Sequence, residues 1–437
     1  MGNKGNQNKT RKIDKYWIEI FNNMNVVKEV ESTGKCIISA DEIKKVYEPR
    51  LMTKFDYKDS LPSIFVENSL TILPITRGSY VIGKYKAYED FETVKTNVKK
   101  IDFPEWIEGI DYKNLYSEAS VINCAYASKI FSDILGETEM YPTLNGRMGS
   151  GDFSFYINDV NNKSCKVSVS KAQCEIDGAF ESRNNILLLE AKNNIFEDFI
   201  VRQLYYPYRV IQNRVSKKVI PAFLTYSNNI FSFYIYEFSD INHYNSLKLR
   251  EVKRYMIDDF NITVEDVKDI LYNIKIVDES MDIPFPQADT FENIISLINK
   301  MYDDPDFNMK DQVTIEFGFD KRQADYYTNA VAYLGLVDRQ RGKGKVILSE
   351  LGKKIIEMRS SEKYLTLFKL ILSHKVFNES MRVFLKKLDL PSRAEIVQIM
   401  KSCNLNHVNT EDMYKRRSQT IKKWINWIME IVSISQS

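Results

Sequence analysis

The pattern of apolar and polar positions changes character along the chain, and each change marks a boundary. Residues 69–83 (Ser-Leu-Thr-Ile-Leu-Pro-Ile-Thr-Arg-Gly-Ser-Tyr-Val-Ile-Gly) are rich in β-branched side chains and punctuated by Pro and Gly, which predicts short strands joined by turns. With a short helical start, they define a β-rich amino-terminal domain over 17–103, behind a basic flexible arm over 1–16. Near Pro104 the pattern shifts: residues 116–135 read as an amphipathic helix, and strands then alternate with a helix through an α/β centre over 104–282. Ile283, Pro284, Phe285, Pro286 and Gln287 form a proline-marked linker, beyond which helical periodicity dominates.

In the carboxy-terminal part, Asp289-x-x-Glu292 has the spacing of a capping box, opening a helix with Phe291, Ile294, Ile298 and Met301 on one side. A second helix follows Asp320-x-x-Gln323. It turns Ala324, Tyr327, Val331 and Leu334 inward and Lys321, Arg322, Asp325, Tyr326 and Asn329 outward, and Gly335 caps it. Leu336–Val337 and Val346–Leu348 flank a basic turn carrying Arg339, Arg341, Lys343 and Lys345, so a hairpin is expected there. This domain spans 287–372. A last helical domain over 373–437 starts a helix at Ser392-x-x-Glu395 and a long one at Thr410, with Trp424, Ile425 and Ile428 as core residues.

Composition narrows the function classes. The 437 residues exceed one ordinary hydrophobic core, and 44% hydrophobic with 27% charged residues is globular rather than disordered. No run approaches the roughly 20 apolar residues of a membrane helix, and the start lacks a signal peptide's apolar stretch, so a cytoplasmic protein is expected. Cys36, Cys124, Cys165, Cys174 and Cys403 contain no CxxC pair, which argues for free thiols. His243, His374 and His407 lack partners at metal-ligand spacing and read as surface or packing residues, which removes histidine-based hydrolysis. There is no GxxxxGK[ST] loop and hence no sign of an ATP motor. A net charge of +2 announces no nucleic-acid partner by itself; basic clusters occur in the first fifteen residues, at 339–345 and at 415–423, but such runs are usually solvated faces and count as DNA contacts only in the right structural context.

The chemistry lies in Gln-Cys-Glu-Ile-Asp-Gly-Ala-Phe-Glu over 173–181, a Ser-Arg-Asn-Asn turn, and Ile-Leu-Leu-Leu-Glu-Ala-Lys over 186–192, predicted to form a hairpin. Side chains alternate along a strand, so Glu190 and Lys192 share one face and Glu175 and Asp177 share a face of the preceding strand. Three carboxylates and an amine can therefore converge. Leu187, Leu188 and Leu189 are apolar on both faces, which predicts a strand inside a sheet and a rigid carrier for the polar pair. Carboxylates that hold magnesium, beside a lysine that steers or deprotonates water, suit phosphodiester hydrolysis.

Asp177, a spacer of about a dozen residues, then Glu190-x-Lys192 at the end of an apolar strand resembles the PD-(D/E)XK nuclease signature, although Ile176 stands where the name-giving proline would be. The resemblance implies an α/β (α+β) restriction-endonuclease-like core, a mixed central sheet flanked by helices. It also implies Mg2+ bound by Asp177, Glu190 and the Ala191 carbonyl, and cuts that leave 5′-phosphates. In that family an acid on the preceding helix often reaches the metal or its water. Glu118 has that place, with a solvated helix-start glutamate as the other reading. Gln203 resembles the glutamine-bearing helix of several subfamilies, although packing of its Leu and Tyr neighbours explains most of that segment. The Gly-rich turn over 144–155 carries Arg147 toward a DNA backbone.

Helix, helix and basic hairpin resemble the winged-helix pattern, and the basic helix at 415–423 resembles a second helix-turn-helix module of restriction enzymes. The implied DNA contacts are Lys321, Arg322, Asn329, Arg339, Arg341, Lys343 and Lys345, and, further on, Lys415, Arg416 and Arg417. Taken together, the resemblance is to a type II restriction endonuclease: double-stranded DNA as substrate, a homodimer or transient dimer on DNA, and a cognate methyltransferase as functional partner. A modification-dependent or repair nuclease, and a DNA-binding regulator with an inactive nuclease fold, are the alternatives.

Overall fold

The computed structural model describes residues 12–436 except 93–95, 114, 116, 194, 195, 258–260, 281, 310, 311, 315, 316, 318, 320, 341–344, 404, 406 and 407. Arg341 and Lys343 at the hairpin tip, Asp320 at the second helix start, Tyr116 and His407 thus lie outside the described residues.

The amino-terminal unit is more helical than expected. Helices α1 (Lys12–Met24), α2 (Val26–Thr33), α3 (Ala40–Lys44), α4 (Pro49–Met52) and α5 (Ser63–Glu67) surround a three-stranded antiparallel sheet of β1 (Cys36–Ser39), β2 (Thr71–Thr76) and β3 (Ser79–Gly83) in the order β1-β3-β2. The β-branched run does form β2 and β3. What it does not reveal is the stripe of Trp17, Ile20 and Phe21 at helical spacing, which α1 buries against Phe55 and Phe65. Residues 12–16, expected in a flexible arm, belong to α1, and the buried Asp14 carboxylate accepts from the Ser63 N–H at 2.7 Å.

The centre contains β4 (Tyr88–Asp90), β5 (Val98–Lys100), α6 (Glu118–Ala127), α7 (Ile130–Leu135), β6 (Tyr141–Gly149), β7 (Asp152–Asn158), β8 (Ser164–Ser170), β9 (Gln173–Glu181), β10 (Asn185–Lys192), β11 (Asp198–Ile200), α8 (Arg202–Gln212), β12 (Lys218–Ser227), β13 (Ile230–Phe238), β14 (Leu247–Met256) and α9 (Val264–Asn273). The helix expected over 116–135 is split, because Lys129 takes a left-handed φ of 58° between α6 and α7. Seven strands form a mixed sheet in the order β5-β14-β13-β12-β10-β9-β6. β10 runs parallel to β12, connected through α8, and antiparallel to β9.

Alternation along β10 sets the two layers. Leu187, Leu189 and Ala191 pack with α6 and α7 on one face, while Ile186 and Leu188 pack with α8 and the β7–β8 ribbon on the other. Each of the three leucines is at most 2% exposed. The strand that carries the polar pair is therefore held on both sides.

Beyond the centre come α10 (Phe291–Asp303), α11 (Lys321–Tyr333), the antiparallel hairpin β15 (Val337–Gln340) and β16 (Lys345–Leu348), α12 (Glu350–Glu357), α13 (Ser360–Leu372), α14 (Lys375–Lys387), α15 (Arg393–Lys401) and α16 (Glu411–Gln436). The two domains expected here share one core. Phe291 of α10 stacks on Trp427 of α16 at 4.0 Å, and Phe377 of α14 stacks on Trp424 at 5.0 Å. The linker is drawn into that core as well, with Phe285 1% exposed. Asp289 and Glu292 do not form the expected capping box. Thr290 is the N-cap, Asp289 accepts from the Thr420 hydroxyl at 2.6 Å, and Glu292 accepts from the Asn228 amide at 3.1 Å. At Ser392 the capping box is present.

Asn228 and Asn229 turn the β12–β13 hairpin with φ of 52° and 60°, a left-handed geometry that asparagine tolerates. Their side chains then bond the carboxy-terminal unit, Asn229 donating to the Ser360 hydroxyl at 2.6 Å and Asn228 accepting from the Trp427 indole at 3.3 Å. Among the described residues no helix is long and apolar enough to cross a membrane.

Candidate active site

Pairing between β9 and β10 ends at Leu189 and Gly178. One residue further along, Asp177 and Glu190 would be partners if the ladder continued. Instead the Asp177 carboxylate accepts from the Ala191 N–H at 2.8 Å, a side chain taking the bond that a strand carbonyl would have made. The strands part there, and the polar side chains gather in the opening.

Lys192 stands at the middle of the group. Its ammonium donates to Glu190 Oε1 and to the Ala191 carbonyl, each at 2.8 Å, and lies 3.3 Å from Glu118 Oε1 and 4.0 Å from Asp177 Oδ2. Glu118 reaches it from the first turn of α6, behind the Ser117 N-cap. Gln203, at the start of α8, donates from Nε2 to Glu190 Oε1 at 2.5 Å. Asp177, Glu190, Lys192, Glu118 and Gln203 thus meet from two strands and two helices. Glu175 does not join them. It shares the Asp177 side of β9 but extends into the cleft, where its carboxylate lies 3.6 Å from Arg147 on β6.

Burial sets the charges. Glu190 is 7% exposed, and burial pushes its carboxyl up to about 8 against the pull of Lys192, with Asp177 and Glu118 adding to the rise. Glu118 is raised for the same first reason. For Lys192 burial alone would favour the neutral amine, but Glu190 and Glu118 outweigh it and hold the ammonium protonated above the usual lysine range. A lysine so held donates hydrogen bonds and positive charge rather than accepting a proton.

The donor set suits a hard divalent cation. Asp177, Glu190, Glu118 and the Ala191 carbonyl offer only oxygen, and the Lys192 ammonium already shows that positive charge is favoured at Glu190 Oε1 and the Ala191 oxygen. Among the described residues no three His, Cys, Asp or Glu side chains stand ready around one point.

The group opens into a cleft of about 910 Å³ between the three units. Arg50, Lys54, Tyr57 and Arg77 line it from the amino-terminal unit, Arg147 and Glu175 from the centre, and Ser296, Asn299 and Lys300 of α10 from the far side. The expected base-reading helix does not border it. Lys321 and Arg322 are exposed on α11, and Asn329 is occupied by the Arg339 guanidinium, which also donates to the Thr328 carbonyl. Lys345, Lys415 and Arg416 are exposed. Arg417 is a correction: it turns inward and donates to the Phe285 carbonyl, which binds the linker to α16.

Sequence reasoning missed Tyr57. It enters the site from the amino-terminal unit, stacked on Phe196 with ring centroids 3.6 Å apart. Nothing local marks it, because the contact joins distant segments.

Three families match successive parts of the chain, each described as a domain of unknown function: DUF6996 over residues 14–82, DUF6997 over 83–256 and DUF7226 over 293–433. The middle match contains the whole β9–β10 hairpin, and the last runs without a break across both expected carboxy-terminal domains and most of their shared core. No curated protein matches the chain, and no solved structure does.

Proposed function

We propose that the chain is a magnesium-dependent DNA endonuclease of the PD-(D/E)XK type, acting in the cytoplasm as a type II restriction enzyme on double-stranded DNA and leaving 5′-phosphates. The observation that carries this reading is the convergence of Asp177, Glu190 and Lys192 where β9 and β10 part, with the Ala191 carbonyl beside them. Asp177, Glu190 and that carbonyl would hold Mg2+, with Glu118 in reach. When bound, the ion polarises phosphate oxygens and lowers the pKa of its water.

The protein's own groups do the rest. Lys192, held protonated, donates to the attacking water or to a phosphate oxygen and offsets the charge that develops there. Gln203 fixes the Glu190 carboxylate and so the direction of its lone pairs. Burial of β10 on both faces keeps these groups in register.

The order α10, α11, β15–β16 hairpin supports a winged-helix-like role for the carboxy-terminal unit, with Lys321, Arg322 and Lys345 as exposed cations facing DNA phosphates. Duplex cutting calls for two active sites, hence a homodimer or transient pairing on DNA, and self-protection calls for a cognate methyltransferase. Digestion of unmethylated and methylated plasmid with magnesium tests the reading. Discrete fragments from unmethylated DNA alone support it. Fragments from methylated DNA alone point to a modification-dependent nuclease, and binding without cutting points to a regulator.

A further inference from the structure

The catalytic group is not built from the central unit alone. Residues 55–58 of the amino-terminal unit are tied to it along their length. The Phe55 carbonyl accepts from the Tyr88 hydroxyl, the Asp56 carbonyl from the Ile200 N–H, and the Asp198 carboxylate from the Lys58 N–H, each at 2.8 Å. Arg202, next to Gln203, lies 3.5 Å from the Asp56 carboxylate. These bonds and the Phe196 stack fix the Tyr57 ring.

The hydroxyl so placed is shut off from solvent and has no hydrogen-bond partner among the described residues. Buried phenol hydroxyls ordinarily find one, and an orphaned donor is a cost the fold would shed unless something else uses it. The charged groups around it are Lys192, Asp56, Glu190 and Glu118, the catalytic group itself with its nearest neighbour. Arg50, Lys54 and Arg77 of the same unit also line the cleft, all exposed; none makes an ion pair with a described residue, although Lys54 is near enough to draw the Glu118 carboxyl down. The amino-terminal unit thus brings three cations and one unmatched donor to a cleft that also holds the cluster of carboxylates. A polyanionic strand is the ligand this arrangement complements.

We infer that the amino-terminal unit is the phosphate-binding wall of the cleft: the Tyr57 hydroxyl donates to an oxygen of the scissile phosphate, and Arg50, Lys54 and Arg77 take flanking phosphates of the duplex. The inference rests on the DNA reading for the identity of the polyanion, but its binding arm does not require cleavage. An Asp177→Ala protein that binds DNA without cutting would leave it intact.

Titrating a fluorescent duplex oligonucleotide with the full chain in EDTA, at several salt concentrations, tests it. Replacing Arg50, Lys54 and Arg77 together by Gln weakens binding about tenfold or more and flattens the log–log salt slope by about 2 to 3, since each lost phosphate contact removes about 0.9. In magnesium, Tyr57→Phe keeps the Phe196 stack and the melting temperature, leaves KM near wild type, and lowers kcat by about tenfold or more. Unchanged affinity and slope in the triple variant, with wild type binding normally, overturns the wall while sparing the nuclease reading. Wild-type binding without cutting sinks the nuclease reading and leaves the salt slope to decide the wall. Full kcat in Tyr57→Phe removes the hydroxyl from the site, and failure of the wild type to bind duplex overturns both.

Discussion

The Asp177 carboxylate caps the Ala191 N–H at 2.8 Å, so the residue expected to hold the metal also holds the strands apart. The two roles separate by substitution. Asp177→Asn keeps an acceptor for the N–H but loses the charge, and its melting temperature should stay near wild type while magnesium-dependent cutting falls by on the order of a thousandfold. Asp177→Ala leaves the N–H without its partner and should in addition lose about 1–3 kcal/mol of stability by denaturant titration. Equal cutting by the Asn variant and wild type would show the carboxylate to be structural only.

Gln203 acts through Glu190 rather than on a substrate. Gln203→Ala should lower kcat by about ten- to a hundredfold, the usual cost of releasing a carboxylate from its orienting partner, with DNA affinity unchanged. Gln203→Glu should do worse, because it sets a second acid against Glu190. A Gln203→Ala protein that loses DNA affinity instead would assign this residue to binding.

Glu190 gives a pH dependence with a definite sign. Burial holds its carboxyl at about 8 against an ordinary 4.5, so between those values the metal-free native protein keeps a proton that the unfolded chain releases. Stability is therefore fully present below about 4.5 and declines as pH rises toward about 8. Lys192, raised above its ordinary 10.5, acts outside that window. Melting temperatures of wild type and Glu190→Gln, measured from pH 5 to 9 in EDTA, should diverge by on the order of several degrees in favour of the variant. Parallel curves would contradict the burial argument.

Arg417 separates a structural cation from exposed ones on the same helix. Because it donates to the Phe285 carbonyl, Arg417→Ala should cost about 1.5–3 kcal/mol of stability. Lys415→Ala and Arg416→Ala, both at exposed positions, should leave stability within about 0.5 kcal/mol. Chemical denaturation of the three variants decides this.

What could be read from the sequence was local. The leucines of β10 and the alternation of Glu190 and Lys192 placed the hairpin, and the spacing to Asp177 placed the third member, because strand geometry alone brings those residues together. Ala324, Tyr327, Val331 and Leu334 faced inward on α11 as their spacing required. The failures were tertiary. Asp289 has capping spacing, but its carboxylate is claimed by Thr420 from another helix. Arg417 looked like a surface cation until the linker folded back to meet it. Tyr57 carries no local signature because its place is set by Asp56 and Lys58 docking on β11. The stripe of Trp17, Ile20 and Phe21 was visible at helical spacing and would have corrected the amino-terminal unit.

The most direct measurement is a time course of supercoiled plasmid with magnesium, wild type beside Lys192→Ala, each first shown to bind a duplex oligonucleotide. The account predicts linear product from wild type and intact plasmid from Lys192→Ala at equal occupancy of DNA. Cleavage by Lys192→Ala at the wild-type rate would contradict it, since the ammonium among Glu190, Glu118 and Asp177 would then have no part in breaking the phosphodiester.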